Sequence, residues 1–279
     1  MLIRDVTLRD GLQVLPQVLP TERKAALYEA LRAAGLVAFQ VTSFVSPKRV
    51  PQLADAEALW RALAGRPGER DALVANLKGY ERAREVGADR LELVLALSPS
   101  YHRKNSGRSQ EETMDEYEVI FARARDEAVH VGVGLANAWH CTFEGATPEA
   151  RVLAWGDRLY ARGVRDIGLA DTTGGAYPED VEALVRKARA AWPEAVLRVH
   201  LHDAGRGVAN ARAALEAGAD GLDVALHGIG GSPFAGEVGG NLDAMELVKA
   251  GIADLDAGAL DAAWSALTGW LDDGAAPAG

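Results

Sequence analysis

Eight short apolar runs recur along this chain, and a longer amphipathic stretch follows each of them. The runs span residues 2–8, 37–44, 71–77, 90–97, 131–139, 166–173, 197–203 and 221–228. Between them, segments such as TERKAALYEALRAAG and PEARVLAWGDRLYARG carry apolar residues at helical spacing and close on glycine, as helices with one buried face do. Strand–helix repetition eight times over predicts an α/β fold whose parallel sheet closes on itself, a (β/α)8 TIM barrel with right-handed crossovers. A doubly wound open sheet is the competing architecture. It normally has fewer repeats and a glycine-rich first turn, whereas the first turn here reads TLRDGLQ and lacks the GxGxxG phosphate pattern. The 279 residues match the ~250 of one such barrel. One (β/α)8 barrel domain over 1–279 is therefore expected, with the residues after Asn241 supplying one or two closing helices.

Polar residues concentrate at one end of the runs. LRDG, TSF, NLKG, SPSYHRKN, AWHC, ADTTGG, HLHDAG and HGIGGS all sit at the C-terminal end of a strand candidate. In a barrel those ends converge on the face that carries chemistry, so the asymmetry favours an enzyme over a structural barrel. The formal net charge of −10 argues against nucleic acid or an anionic membrane as partner and leaves a small-molecule substrate. No apolar run approaches the ~20 residues of a membrane span. The start, MLIRDVTLRD, lacks the basic-then-apolar pattern of an export signal. Cys141 is the sole cysteine, which excludes an internal disulfide and a Cys-rich zinc site and fits a cytoplasmic location. A homo-oligomer is compatible with the sequence, which does not fix the number of subunits.

RVHLHD places His200 and His202 two apart on a strand, so both imidazoles face the same side, the barrel interior near its mouth. Such a pair serves equally well as hydrogen-bonded core residues. Asp10, read as the end of the first strand, tips the balance toward a divalent cation. Strands one and seven of a closed barrel lie near enough for one carboxylate and two imidazoles to reach one ion. Asn241, in GGN, is the candidate fourth ligand through its oxygen. Arg9 points away from Asp10 if the strand stays regular and toward the site if the strand frays. Turned inward, its guanidinium stabilises an enolate oxygen; turned outward, it closes the rim as a salt bridge.

RDGLQ at 9–13, TSFVSPKRVPQLAD at 42–55, NLKG at 76–79, ADTTG at 170–174, HLHDAGRGVAN at 200–210 and GIGGSPFAGEVGGN at 228–241 extend these residues into a longer pattern. Together they resemble the DRE-TIM metallolyase superfamily, and within it the 3-hydroxy-3-methylglutaryl-CoA lyases most closely, through almost the whole chain and in order. The resemblance implies Asp10, His200, His202 and Asn241 as ligands of Mg²⁺ or Mn²⁺, with Arg9 stabilising an enolate. It also implies a retro-Claisen cleavage of a 3-hydroxyacyl-CoA, in which either histidine does more than hold the ion. Gln13, Gln40, Lys48, Asn76, Lys104 and Thr172 fall in the matching motifs and loops and are the candidates for binding substrate. His102, Arg103, Lys104 and Arg108 form a basic stretch in an otherwise acidic chain, suited to CoA phosphates or simply to solvent.

Two positions depart from the lyase pattern. Gln40 stands where those lyases carry a glutamate, keeping hydrogen-bonding capacity without charge. Ser232 stands at the cysteine of the flap motif GGCP. A thiol, with a pKa of ~8.5, exchanges protons near neutrality, which a hydroxyl without an activating base hardly does. Three readings follow: CoA-thioester cleavage with another group in place of the thiol, a metal-dependent aldolase acting on a 4-hydroxy-2-oxo acid, or a catalytically weak binding homologue. The intact ligand set and Arg9 count against the third. A biotin-dependent carboxyltransferase is poorly supported, since no lysine lies in strand candidates five or six. The superfamily's synthases carry a further C-terminal region. His140 replaces a glycine of the lyase pattern and is the candidate to supply acid–base function in place of Ser232; packing against Trp139 or Phe143 is the alternative. His227 is a weaker candidate of the same kind.

Overall fold

The computed structural model describes residues 1–231 and 239–274. Eight parallel strands close into one barrel in sequence order: β1 (Leu2–Asp5), β2 (Ala38–Ser43), β3 (Glu69–Leu73), β4 (Arg90–Ala96), β5 (His130–Ala136), β6 (Asp166–Asp171), β7 (Val196–Leu201) and β8 (Gly221–Val224). β8 pairs back onto β1, Leu2 opposite Gly221 and Asp5 opposite Val224. The expected TIM barrel is thus the observed fold. Helices α1 (Thr21–Ala33), α2 (Ala56–Ala62), α3 (Leu77–Glu85), α4 (Pro99–Ser106), α5 (Gln110–Asp126), α6 (Glu149–Ala161), α7 (Pro178–Ala191) and α8 (Gly207–Glu216) connect the first seven strands to the next, with α4 and α5 both after β4. After β8 come α9 (Ala244–Lys249) and α10 (Ala257–Gly274). Among the described residues no helix is long and apolar enough to cross a membrane.

Period-two alternation explains why the strands hold both helices and a site. Phe39 of β2 points outward onto Tyr28 of α1, ring centroids 4.5 Å apart, and Leu27, Tyr28 and Leu31 of that helix are buried. Its neighbour Gln40 points inward and is fully buried, as strand geometry requires. Side-chain caps start several helices after their loops: the oxygens of Asn76, Ser98 and Ser109 accept from Gly79, Tyr101 and Glu112 amides at the starts of α3, α4 and α5. Each cap is worth about 1 kcal/mol. The last helix closes the ring of helices, with Arg23 of α1 donating to the Trp270 carbonyl at 2.8 Å.

Several strands stop earlier than the apolar runs suggest. β1 ends at Asp5, and Thr7–Gly11 curl into a wide π-type turn in which the Arg9, Asp10 and Gly11 amides all donate to the Val6 carbonyl. Asp10 therefore sits in a helical turn beyond the strand, not at its end. β5 stops before Asn137, whose φ of 59° breaks the extended path, and β8 stops at Val224, before His227.

The barrel's centre is ionic. Arg4 of β1 pairs with Asp71, Glu92 and Asp223, and Arg198 of β7 pairs with Glu92, Asp166 and Asp223. Side chains of this size fit because β5 opposes them with glycine: a Cβ at Gly134 would lie 2.8 Å from Glu92 Oε1. Such a stack is weak evidence of stability in itself, but removing one member strands a buried charge at a cost of about 3–5 kcal/mol.

Candidate active site

Three ligand-type side chains converge at the C-terminal mouth of the barrel. Atoms of Asp10, His200 and His202 lie within 4.8 Å of one another. Arg198, His200 and His202 alternate up β7 and its continuation, so the same periodicity that puts Arg198 in the ionic stack carries both imidazoles to its top. His200 Nδ1 faces Asp223 Oδ2 at 3.2 Å, and its Nε2 stands 3.2 Å from His202 Nε2. A carboxylate behind one ring nitrogen orients the other, the arrangement common to metal-bound histidines. Burial, with positive neighbours His200 and Arg9 acting in the same direction and Asp10 opposing, drops the His202 pKa to about 4. Its imidazole is therefore neutral at pH 7, with a lone pair to give.

Asp10 is a carboxylate held charged. Burial pushes its pKa up, but Arg9, the two histidines and the Asn241 amide outweigh this and leave it below the ordinary value. Its Oδ1 accepts from Arg9 Nη1 and from Gln13 Nε2 at 2.8 Å. Its Oδ2 accepts from Asn241 Nδ2 at 2.8 Å and from the Gly231 amide at 3.2 Å. Each oxygen thus takes two donors, of which the Gly231 amide is the longest. Asn241 Nδ2 also donates to the Ile229 carbonyl at 2.8 Å. Its Oδ1 is buried with no partner among the described residues. Turning the amide over would set that oxygen against the Asp10 carboxylate, so chemistry fixes its orientation. A buried acceptor left bare costs about 1–3 kcal/mol, and a cation among these donors would satisfy it. The residues present fit a divalent ion. The approach is close: Gly230 has φ +119°, and a Cβ there would fall 2.2 Å from Asn241 Nδ2.

Arg9 turns toward the site, because the helical turn replaces the regular strand that would have sent it away. Its Nη1 pairs with Asp10 and its Nε donates to Gln40 Oε1. Among the described residues Nη2 is unpartnered. Gln40 Nε2 in turn donates to Asp71 Oδ1 and Glu92 Oε2, both at 2.9 Å. Burial raises both of those carboxyls; Arg4 and Arg198 bring Glu92 below its usual range, while Asp71, facing Glu92, stays above its own.

The remaining candidates are placed less centrally. Asn76 caps α3, and Thr172 Oγ1 accepts from the Asn137 amide at 2.8 Å, tying the ends of β5 and β6. Lys48 is exposed on the loop after β2, beside Arg49, which donates to the Asn105 carbonyl at 3.0 Å and docks that loop on α4. Lys104, exposed on α4, lies 4.5 Å from the ring centroid of Phe143. His102 does not belong to that basic patch: it is buried at 2.8 Å from Thr113 Oγ1. His140 forms a short antiparallel ribbon with Ala146; its Nδ1 lies 3.3 Å from Thr173 Oγ1. His227 stacks on Trp264 at 4.5 Å and faces Asp261, away from the cluster. Ser232 lies outside the described residues.

The residues missed by the sequence reading are Arg4, Asp71, Glu92, Asp166, Arg198 and Asp223, the stack beneath the site. Their signal was present: charged residues flanked by apolar ones inside strand candidates, with Arg198 two positions before His200.

Residues 1–259 match the family described as HMGL-like. The chain is 37% identical over 258 residues to an (R)-citramalyl-CoA lyase of Chloroflexus aurantiacus, covering 88% of this chain and 81% of that one. It is 34% identical over 248 residues to a cytoplasmic 3-hydroxy-3-methylglutaryl-CoA lyase of Mus musculus, covering 88% and 72%. Among solved structures, an HMG-CoA lyase from Acinetobacter baumannii in complex with coenzyme A and 3-methylmalate superposes with a TM-score of 0.91 at 32% identity, covering 97% of this chain and 91% of that one.

Proposed function

Because the chain belongs to the HMGL-like family, we propose that its reaction is the metal-dependent retro-Claisen cleavage of a tertiary 3-hydroxyacyl-CoA. The protein is a carbon–carbon lyase, as its named relatives are, and CoA thioesters are the substrate class those names share. The observation that carries the metal-dependent reading is the bare, buried Asn241 Oδ1 beside the Asp10–His200–His202 cluster. These four residues would hold the ion. Two imidazoles with two oxygens favour Mn²⁺ over Mg²⁺, which prefers an all-oxygen shell.

When bound, the ion supplies Lewis acidity that lowers the pKa of the substrate's tertiary hydroxyl. The chain's own groups do the rest. A base removes the hydroxyl proton, the bond between the carbinol carbon and the thioester α-carbon breaks, and the electron pair moves onto the thioester as an enolate. Arg9, fixed at Nε and Nη1, presents Nη2 to that oxygen, where negative charge develops. An acid then protonates the α-carbon to give an acetyl-CoA-like product and a carbonyl compound. Of the six histidines, two are the proposed ligands. His102 is buried on Thr113, His130 pairs with Asp166 at the first residues of β5 and β6, and His227 stacks on Trp264. His140, in the short ribbon after β5 with its Nδ1 3.3 Å from Thr173 Oγ1, is the one left at the functional face, and it is the proton carrier assigned here. Lys104 with exposed Phe143, and Lys48 with Arg49, form the cationic rim proposed to meet the CoA phosphates.

The deciding experiment is turnover by chelator-stripped protein, with and without Mn²⁺, on 3-hydroxy-3-methylglutaryl-CoA, citramalyl-CoA and 4-hydroxy-2-oxo acids. Mn²⁺-dependent release of acetyl-CoA is the expected result. Cleavage confined to the oxo acids moves the protein to aldolase chemistry and overturns the CoA reading.

A further inference from the structure

Gln40 is an uncharged amide set between Arg9 and a stack of buried carboxylates, and its surroundings account for its neutrality. It is fully buried. Its oxygen accepts from Arg9 Nε, and its nitrogen donates to Asp71 and Glu92. With donors on one side and acceptors on the other, only one amide orientation satisfies all three partners. Beneath it, two guanidinium groups, Arg4 and Arg198, face four carboxylates, Asp71, Glu92, Asp166 and Asp223, a surplus of two negative charges if all are ionised. An ionised carboxyl at position 40 would present lone pairs to Asp71 and Glu92 and add a fifth negative charge. Burial makes such crowding costly.

We infer that Glu92 with Asp71 supplies the negative charge behind Arg9 in this protein, and that Gln40 is the neutral positioning residue coupling this pair to Arg9. The amide holds Arg9 Nε so that Nη2 stays directed at the substrate, and the buried pair supplies the negative charge behind it. This rests on the reading that Arg9 serves the reaction.

The test is a cycle of Gln40→Glu, Glu92→Gln and the double variant, each followed by Mn²⁺-dependent turnover and by thermal unfolding without substrate from pH 5.5 to 8.5. Protonated, the introduced carboxyl mimics the amide, donating to Glu92 and accepting from Arg9; ionised, it repels the pair. Gln40→Glu is therefore expected to lose about 30-fold in kcat at pH 8 and much less at pH 6, with KM within about twofold. The double variant recovers to within about threefold of wild type at both pH values, because the charge has been exchanged and not added. Unfolding follows suit, with the Gln40→Glu midpoint falling as pH rises and the double variant losing that slope. Full activity of Gln40→Glu across the range, or a double variant no better than the single, overturns the inference. If wild type cleaves no acyl-CoA, the functional reading fails separately, and the unfolding cycle still decides whether positions 40 and 92 are coupled. Should Glu92→Gln not fold, Asp71→Asn takes its place in the same cycle.

Discussion

Replacing Asn241 by leucine separates the ion's contribution from the protein's own. Without metal the change removes two hydrogen bonds from Nδ2, to Asp10 Oδ2 and the Ile229 carbonyl, both at 2.8 Å. The first, to a charged acceptor, is worth about 1.5–3 kcal/mol and the second about 1 kcal/mol. The same change deletes the buried bare Oδ1, which returns about 1–3 kcal/mol. With leucine filling a similar volume, the apo-protein is expected to lose only about 1–2 kcal/mol. The metal-dependent increment behaves differently. At a Mn²⁺ concentration 100 times Kd, wild type gains about 2.7 kcal/mol. A tenfold weaker site, the expected result of losing one of four ligands, gains about 1.4 kcal/mol under the same conditions. At about 2–4 °C per kcal/mol for a chain of this size, the Mn²⁺-induced rise in Tm shrinks from about 5–11 °C to about 3–6 °C. Differential scanning fluorimetry across a Mn²⁺ titration reads both quantities. An unchanged Mn²⁺ shift in Asn241→Leu would refute the assignment of its oxygen to the ion.

Three further outcomes are expected. Arg9→Met lowers kcat by about 10²–10³-fold, and Arg9→Lys fails to restore it because a point charge cannot hold Gln40 and Asp10 while facing substrate; wild-type turnover by either variant removes Arg9 from the reaction. Lys104→Ala raises KM for an acyl-CoA several-fold at unchanged kcat, with the effect fading at high salt; equal inhibition of variant and wild type by free CoA would argue against that rim. Asp5, buried beneath Thr7, has its pKa pushed up to about 7, chiefly by burial, against about 3.9 in the unfolded chain. Its native state thus holds the proton more tightly, so the associated stability is fully present below about pH 4 and is lost as pH rises toward 7. Asp5→Asn accordingly gains up to a few kcal/mol over wild type between pH 4.5 and pH 8 in denaturant melts, and parallel pH profiles would contradict this.

The strand and helix periodicities made the barrel legible, and residue spacing at strand ends made its mouth legible too. His200 and His202 follow directly from period two, and Asp10 from its place after the first apolar run. What spacing could not give is the π-type turn at Thr7–Gly11, where three amides share the Val6 carbonyl; it alone decides that Arg9 and Asp10 both face inward. The inward charges were harder to see, because a charge within an apolar run reads as an edge or a solvent-facing position until closure supplies its partners. Arg4 and Asp223 are 219 positions apart, and no local pattern links them. His102 illustrates the opposite error. A histidine next to Arg103 and Lys104 looks like part of a basic surface, yet helical geometry turns it inward to Thr113.

The ionic stack gives this barrel an uneven response to heat. Apolar burial, which dominates the interface between strands and helices, levels off in strength per unit area as temperature rises. The desolvation cost of Arg4, Arg198 and their four carboxylates declines over the same interval, since water solvates charge less favourably when hot. Shielded from solvent ions by the closed sheet, these pairs are also little affected by salt. Warming therefore shifts the burden of holding the eight strands together from the outer shell toward the axis, directly beneath the residues that do the chemistry.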